Sequence, residues 1–330
     1  MKNIIKPLLA AGMAVSIAGC TVGGSATAAS AKKSDDDTYT VGIIQLVQHP
    51  ALDAATKGFE DALKDEFGDK VTIEYKNASG NSTDCVTIAN QFVSDNVDLI
   101  MANATPALQA ASSATTTIPV LGTSVTDYGT ALDIDFKGTI GTNVSGTTDL
   151  APLDQQADMF KELLPDARKI GILYCNAEPN SKYQADIVEK DLQDLGYEVT
   201  RYKFTDSNDV QQVTQTACNE CDALYVPTDN TAANAAETIN NVALPAKTPI
   251  ITGEEGIMAG CGIATLSIDY YNLGKKTGEM AIKILKGEEK VEDMPVESDD
   301  NPVKEYDKDR CEQLGITVPD DYKAYEPADE

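Results

Sequence analysis

One histidine stands in the whole sequence, His49, in the run Gln48-His49-Pro50. A Ser–His or Cys–His nucleophile pair would have to use it, with a partner whose position the sequence leaves open. Placed just before a helix start, it reads instead as a polar residue at a cleft edge or a helix cap. The sequence contains no GxSxG elbow, no HExxH, no GxxxxGK[ST] and no strand–GxGxxG–helix. Cys218-Asn219-Glu220-Cys221 is a CxxC without the second pair that would complete a zinc site. It follows a helical stretch rather than opening one, so the helix dipole that activates a redox CxxC is missing. A local disulfide or two free thiols are the readings left. No catalytic residue, no cofactor and no metal site are expected.

The polar residues at strand ends suit binding better than catalysis. Asn103-Ala104-Thr105-Pro106 ends a strand and opens a helix, offering the Thr105 hydroxyl and free backbone N–H groups to a carboxylate. Gly122-Thr123-Ser124 has the same chemistry. Thr105 and Ser124 either cap helices or touch a ligand. Asp229 and Asn230 lie in Val226-Pro227-Thr228-Asp229-Asn230, Asp269 in Ser267-Ile268-Asp269-Tyr270-Tyr271, and Glu178 in Asn176-Ala177-Glu178-Pro179-Asn180-Ser181. A buried carboxylate needs a partner, and a ligand ammonium is a good one. No cation stands between 224 and 236, so Asp229 has no evident protein partner there. The plainer readings are a helix cap for Asp229 and a hinge hydrogen bond for Asp269.

These loops hang on a repeating grammar. Val41–Ile44 reads as a buried strand. A helix over 50–67 follows, with Leu52, Ala55, Phe59, Ala62, Leu63 and Phe67 at helical spacing and Pro50 in its first turn. Val71–Tyr75, Val97–Ala102 and Pro119–Gly122 read as strands, alternating with helices over Asp84–Ser94 and from Pro106. The pattern restarts with a helix over Leu153–Leu164, then strands at Lys169–Tyr174, Glu198–Tyr202, Ala223–Val226 and Pro249–Thr252. Helices are expected over 181–195, Val210–Cys218, Thr231–Val242 and Asn272–Lys286, and a short one over Lys308–Leu314. Thr139–Val144 and Ile263–Ile268 are extended segments suited to crossing between halves. The expected fold is α/β, two doubly wound parallel-sheet lobes with a ligand cleft outside the carboxyl ends of the strands. Lobe 1 is placed at 39–143 with a return of about 269–290, and lobe 2 at 144–268 with part of the 291–330 tail.

The 330 residues carry 26 Lys plus Arg against 53 Asp plus Glu, a net charge of −27, which repels phosphate backbones and argues against nucleic-acid binding. Residues 1–20 hold Lys2 and Lys6, an apolar run over Leu8–Ile17, and Ile17-Ala18-Gly19-Cys20. That order resembles a bacterial lipoprotein signal, with cleavage after 19 and acylation of Cys20, and an ordinary signal peptide is the alternative. Residues 20–38, rich in Gly, Ser, Ala and Thr, form a flexible tether. The protein is therefore placed on the outer face of the cell membrane, held by lipid alone.

The chain resembles the substrate-binding lipoproteins of ABC importers, in the group assigned to tryptophan and tyrosine uptake. The carrying runs are VGIIQLVQHPALDAATKGFEDAL at 41–63, ANQFVSDNVDLIMANATPALQAA at 89–111, PVLGTSVTD at 119–127, YCNAEPNS at 174–181, LYVPTDN at 224–230, IDYYNLGKKTGEMAIKILKGE at 268–288 and LGITVP at 314–319. The resemblance implies the type I periplasmic-binding-protein fold and a monomeric, non-catalytic receptor that delivers an amino acid, by preference an aromatic one, to an ABC permease with its ATPase. On this reading Thr105, Thr123 and Ser124 hold the ligand carboxylate, Asp229 and Asn230 its ammonium, and Gln45, Asn180, Ser181 and Asp269 complete the rim. Six cysteines after Cys20, namely Cys85, Cys175, Cys218, Cys221, Cys261 and Cys311, depart from the usual pattern. A sugar or nucleoside receptor and a surface adhesin on the same body are the rival readings.

Overall fold

The computed structural model describes residues 38–299 and 301–326. Cys20, the signal segment and nearly all of the tether lie outside the described residues. The first run of elements is β1 (Tyr39–Gln45), α1 (Pro50–Phe67), β2 (Val71–Asn77), α2 (Ser82–Asp95), β3 (Leu99–Asn103), α3 (Thr105–Ala114), β4 (Val120–Val125), α4 (Tyr128–Leu132) and β5 (Val144–Thr148). The second is α5 (Leu153–Leu163), β6 (Lys169–Cys175), α6 (Pro179–Asp194), β7 (Glu198–Phe204), α7 (Val210–Glu220), β8 (Ala223–Val226), α8 (Asn230–Asn234), α9 (Ala236–Ala243), β9 (Ile250–Thr252), α10 (Glu255–Cys261) and β10 (Ala264–Ser267). Then come α11 (Tyr270–Leu285), β11 (Glu297–Ser298), β12 (Val303–Tyr306), α12 (Lys308–Leu314) and β13 (Lys323–Ala324).

The strands form two sheets, ordered β11-β5-β4-β3-β1-β2 and β13-β12-β10-β9-β8-β6-β7. All pairings are parallel except β10 with β12. β3, β4 and β8 are buried along their whole length, which is why β3 and β8 read as near-continuous apolar runs rather than alternating ones. In each sheet the first strand sits between the second and the third, so the order reverses beside β1 and beside β6. Those two switch points are where doubly wound sheets leave a crevice for ligand.

The strand order departs from the sequence reading at one crossing. Val144–Thr148 pairs with β4, so the chain leaves the first sheet after Thr148 and not at residue 144. The helix expected over Thr231–Val242 is two helices, interrupted at Ala235, whose N–H is shared between the carbonyls of Thr231 and Ala232. All six described cysteines are free thiols, so the local Cys218–Cys221 bridge is not formed. Cys218 lies within α7 and Cys221 is its extended C-cap; the Cys221 thiol donates to the Tyr202 hydroxyl at 3.4 Å.

α11 returns from β10 and lies across α1, the closest helix pair of the molecule. A Cβ on Gly274 would stand 1.9 Å from the Ala55 carbonyl oxygen, and one on Gly58 2.0 Å from that of Tyr271. Only glycine permits backbones to approach this closely, and the crossing anchors α11 on the first sheet's side of the molecule. Ala55, Phe59 and Leu63 of α1 are fully buried there, each large side chain contributing roughly 1.5–3 kcal/mol by burial.

Candidate functional site

At the carboxyl ends of the two sheets an enclosed cavity is lined from both lobes. His49, Leu52, Ser124 and Thr126 come from the first, and Asn180, Thr228, Asp229, Asn230 and Glu254 from the second. Asp149 and Tyr270 come from the segments that cross between them. In this conformation it holds about 10 Å³ of free space, one water and not an amino acid. Ligand entry therefore requires the lobes to part. An adjoining groove of about 240 Å³ shares Asn230 and runs between Val47 and Pro106 on one side and Ala177 and Thr231 on the other.

The first-lobe wall is built around the bare start of α1, and a second bare start, that of α3, borders the adjoining groove. α1 begins at Pro50 with no side chain capping it, and the N–H groups of Ala51 and Leu52 have no intrahelical acceptor. α3 is likewise uncapped, its N-cap Ala104 held at φ 88°, ψ 157°, a region that is nearly glycine's alone. Ser124, next to last in β4, stands at φ 54°. Ala104 lies outside the cavity lining, and Ser124 is the strained residue at the crevice itself, of the kind that persists at ligand sites.

The second-lobe wall is acidic. Asp229 caps α8: one carboxylate oxygen accepts the Ala232 N–H at 2.8 Å and the other the Cys175 N–H at 2.6 Å. Burial, reinforced by nearby Glu178, pushes its carboxyl well up from the ordinary range, against bonds from Ala232, Cys175 and Ser181. Glu254 caps α10 through the N–H groups of Gly256 and Ile257, and burial lifts it to about 7. Glu178 accepts from the backbone and side chain of both Asn230 and Thr231, and from the Asn180 amide at 3.1 Å.

Asp149 ties the crossings together. It accepts the Tyr270 hydroxyl at 3.0 Å and that of Thr126 at 3.0 Å, and burial raises it to about 6. The Gln184 side-chain amide of the second lobe donates to Thr126 at 3.3 Å. A second interlobe bond joins His49 Nε2 to Asn230 Oδ1 at 3.2 Å. Three lining residues keep buried polar atoms with no partner among the described residues: His49 Nδ1, Ser124 Oγ and Asn180 Oδ1.

Of the residues singled out from sequence, Ser124, Asn180, Asp229 and Asn230 meet in this cavity. The others do not line it. Gln45 is buried beneath α1, its amide donating to the Val47 carbonyl and to Asp53 while its oxygen accepts from Thr56. Thr123 lies one layer down, in a run of hydroxyls with Thr147 and Thr277. Thr105 is buried in the first turn of α3. Ser181 is fully buried behind Asn180 and donates to the Thr228 carbonyl at 3.4 Å. Asp269 is exposed and caps α11 through the Asn272 N–H, a helix cap in place of either the ligand contact or the hinge hydrogen bond expected from sequence. Asp229 is the helix cap of its plainer reading and has a second backbone partner, Cys175, that the sequence did not suggest.

Sequence reasoning missed Thr126, Asp149 and Glu254 and gave His49 a bland role. Glu254 stood in a strand-end loop, and Asp149 directly follows a strand; both positions carry the signal of a carboxylate at a carboxyl edge. Among the described residues, no group of three or more His, Cys, Asp or Glu is placed to hold a metal, and no helix is long and apolar enough to cross a membrane.

Comparison with known proteins bears on this site. The model for the ABC transporter substrate binding protein family matches residues 40–327. A tyrosine-binding protein of Clostridioides difficile (strain R20291) is 39% identical over 301 residues, spanning 89% of this chain and 87% of that protein. The ABC domain from Streptococcus pneumoniae in complex with L-Trp superposes with a TM-score of 0.83 at 32% identity, covering 86% of this chain and 97% of that one. The ligand-free, open structure of a Clostridium difficile substrate binding protein with adhesive properties gives 0.68 at 38% identity, covering 87% and 99%. The fold thus lies nearer the ligand-bound relative than the open one, although the open one is nearer in sequence.

Proposed function

The chain belongs to the family of ABC transporter substrate binding proteins, and from that premise we propose that it captures an aromatic amino acid outside the cell membrane. It then hands the ligand to an ABC permease with its ATPase. The family is one of binding proteins and not of enzymes. Capture proceeds by hinge closure, the lobes folding over ligand about the Asp149 and Tyr270 segments.

The observation that carries the reading is the polarity of the closed cavity. One wall offers the uncapped start of α1 and the Ser124 hydroxyl, which suit a carboxylate. The opposite wall offers Asp229, Glu254 and the unpaired Asn180 oxygen, which suit an ammonium. A zwitterionic α-amino acid head group matches both. The groove between Val47, Pro106 and Ala177 gives the side chain an apolar path outward. The tyrosine-binding and tryptophan-bound relatives support an aromatic side chain.

Calorimetric titration of the chain lacking residues 1–38 tests this. L-tryptophan, L-tyrosine or L-phenylalanine should bind saturably, while glucose and uridine should not. Binding of a sugar or nucleoside with no heat from any aromatic amino acid would overturn the reading.

A further inference from the structure

The cavity's hydrogen bonds determine which form of the only histidine is present. Asn230 Nδ2 donates to Glu178 Oε2 at 2.7 Å, an acceptor, so the amide oxygen is the atom that faces His49. His49 Nε2 approaches that oxygen at 3.2 Å and must therefore carry the proton. In a neutral imidazole the other nitrogen, Nδ1, is then a bare acceptor. His49 is 8% exposed, and Nδ1 has no partner among the described residues. Burial holds the ring below the ordinary histidine range, outweighing the Asn230 bond and the charges of Glu178 and Asp53.

The same reasoning applies to Asn180, which is 4% exposed. Its amide nitrogen donates to Glu178 Oε2 and to the Thr228 carbonyl, both at 3.1 Å, so its unpaired oxygen is also an acceptor. Asp229, the obvious partner for a cation, already spends both oxygens on backbone N–H groups.

We propose that His49 Nδ1 and Asn180 Oδ1 accept hydrogen bonds from the ammonium group of the bound amino acid. In this arrangement the Glu178–Asn230 pair is the positioning device that keeps Nδ1 free of its proton. His49 then selects for ligands that bear a donor at the α-position, while Asp229 and Glu254 complete the polar wall beside it. This assignment rests on the amino-acid reading above and adds the residues that recognise the amine.

Because the chain has one histidine, isotopic labelling of histidine reports on His49 alone. Long-range ¹H–¹⁵N spectra of the ¹⁵N-histidine protein should show the Nε2–H tautomer, with the Nδ1 resonance moving on addition of L-tryptophan. Binding of L-tryptophan and of its des-amino analogue, indole-3-propanoate, is then compared in wild type, His49→Gln and His49→Asn. The Gln amide reaches the Nε2 position and leaves Nδ1 vacant; the Asn amide does the reverse. The preference for tryptophan should drop about tenfold or more in His49→Gln, as expected for losing a hydrogen bond to a charged group. It should largely survive in His49→Asn, which weakens both ligands alike. An Nδ1–H tautomer, an Nδ1 resonance unmoved by tryptophan, or an unchanged preference in His49→Gln would overturn the proposal; the spectra decide it even where a variant fails to fold. Absence of tryptophan, tyrosine and phenylalanine binding in the wild type would remove the amino-acid reading and this assignment together. Wild-type binding with an unaltered preference in His49→Gln would remove the His49 assignment alone.

Discussion

Asp229 and Asp149 are both buried at the cleft, and their surroundings give them different work. Asp229 holds the start of α8 and the end of β6 through two backbone N–H groups. Asp229→Ala should therefore cost about 1–3 kcal/mol of stability, from the lost cap and an unpaired Cys175 amide. Tryptophan affinity should change by less than the hundredfold expected of a broken buried ion pair; a melt and a titration on one sample check both. Asp149 is held by hydroxyls rather than cations, so burial dominates and its carboxyl rises from 3.8 to about 6. The folded value lies above the unfolded one, so the native state takes up the proton first on acidification. Its stabilising contribution is complete below about pH 4 and is lost as pH rises through 6. The stability of wild type relative to Asp149→Asn should fall by about 2 kcal/mol between pH 4 and pH 7. Denaturant unfolding at stepped pH measures this, and a flat difference would show that Asp149 does not titrate in that window.

Among the elements, the crossing of α1 and α11 matters most to the site. α1 carries His49 at its N-cap, and α11 begins at Tyr270, so the pair joins the first-lobe wall to the hinge. Gly58 and Gly274 let the two backbones touch. Gly274→Ala places a methyl group against the Ala55 carbonyl, and the helices must separate. A loss of about 1–3 kcal/mol or more is expected, read as a lowered melting temperature with weaker ligand binding, because the shift carries both His49 and Tyr270. Gly196→Ala makes a useful control. It costs backbone strain at φ 94° but meets nothing within 4 Å, and it precedes β7 at the amino end of that strand, away from the carboxyl-edge cavity. It should lower stability and leave affinity alone.

For the molecule as a whole, two interlobe bonds, His49 to Asn230 and Gln184 to Thr126, close a space of about 10 Å³, too small for an amino acid. Such a body works as a receptor only if it opens, and it serves a permease only if it stays near the membrane. Residues 1–38 supply the second condition on our reading, through acylation of Cys20 and a tether rich in small polar residues. A single acyl chain anchors weakly and more than one anchors stably. Cys20→Ala should therefore move the protein from the membrane fraction to the soluble extracytoplasmic fraction without changing ligand affinity. Persistence in the membrane fraction would reject the anchor.

Local rules were enough to read much of this protein from its sequence. Near-continuous apolar runs mark β3 and β8 because strands covered on both faces have no polar side to show. Pro50 and the spacing of Leu52, Ala55, Phe59 and Leu63 mark α1 because period and first-turn chemistry are properties of short segments. The same rules located the strand-end loops, and Ser124, Asn180, Asp229 and Asn230 were found there. They could not assign which polar group partners which. Asp229 lacks a nearby cation in sequence, yet the fold brings it the amide of Cys175, 54 residues away. Asp269 was indistinguishable from Asp229 as a strand-end acid, and only the path of α11 leaves it exposed. His49 looked like an ordinary cap because its meaning depends on Asn230, 181 residues distant, and on Glu178 behind that. Strand and helix signals lie within a few residues of one another, whereas the protonation and pairing of a buried group depend on whatever the tertiary fold sets beside it.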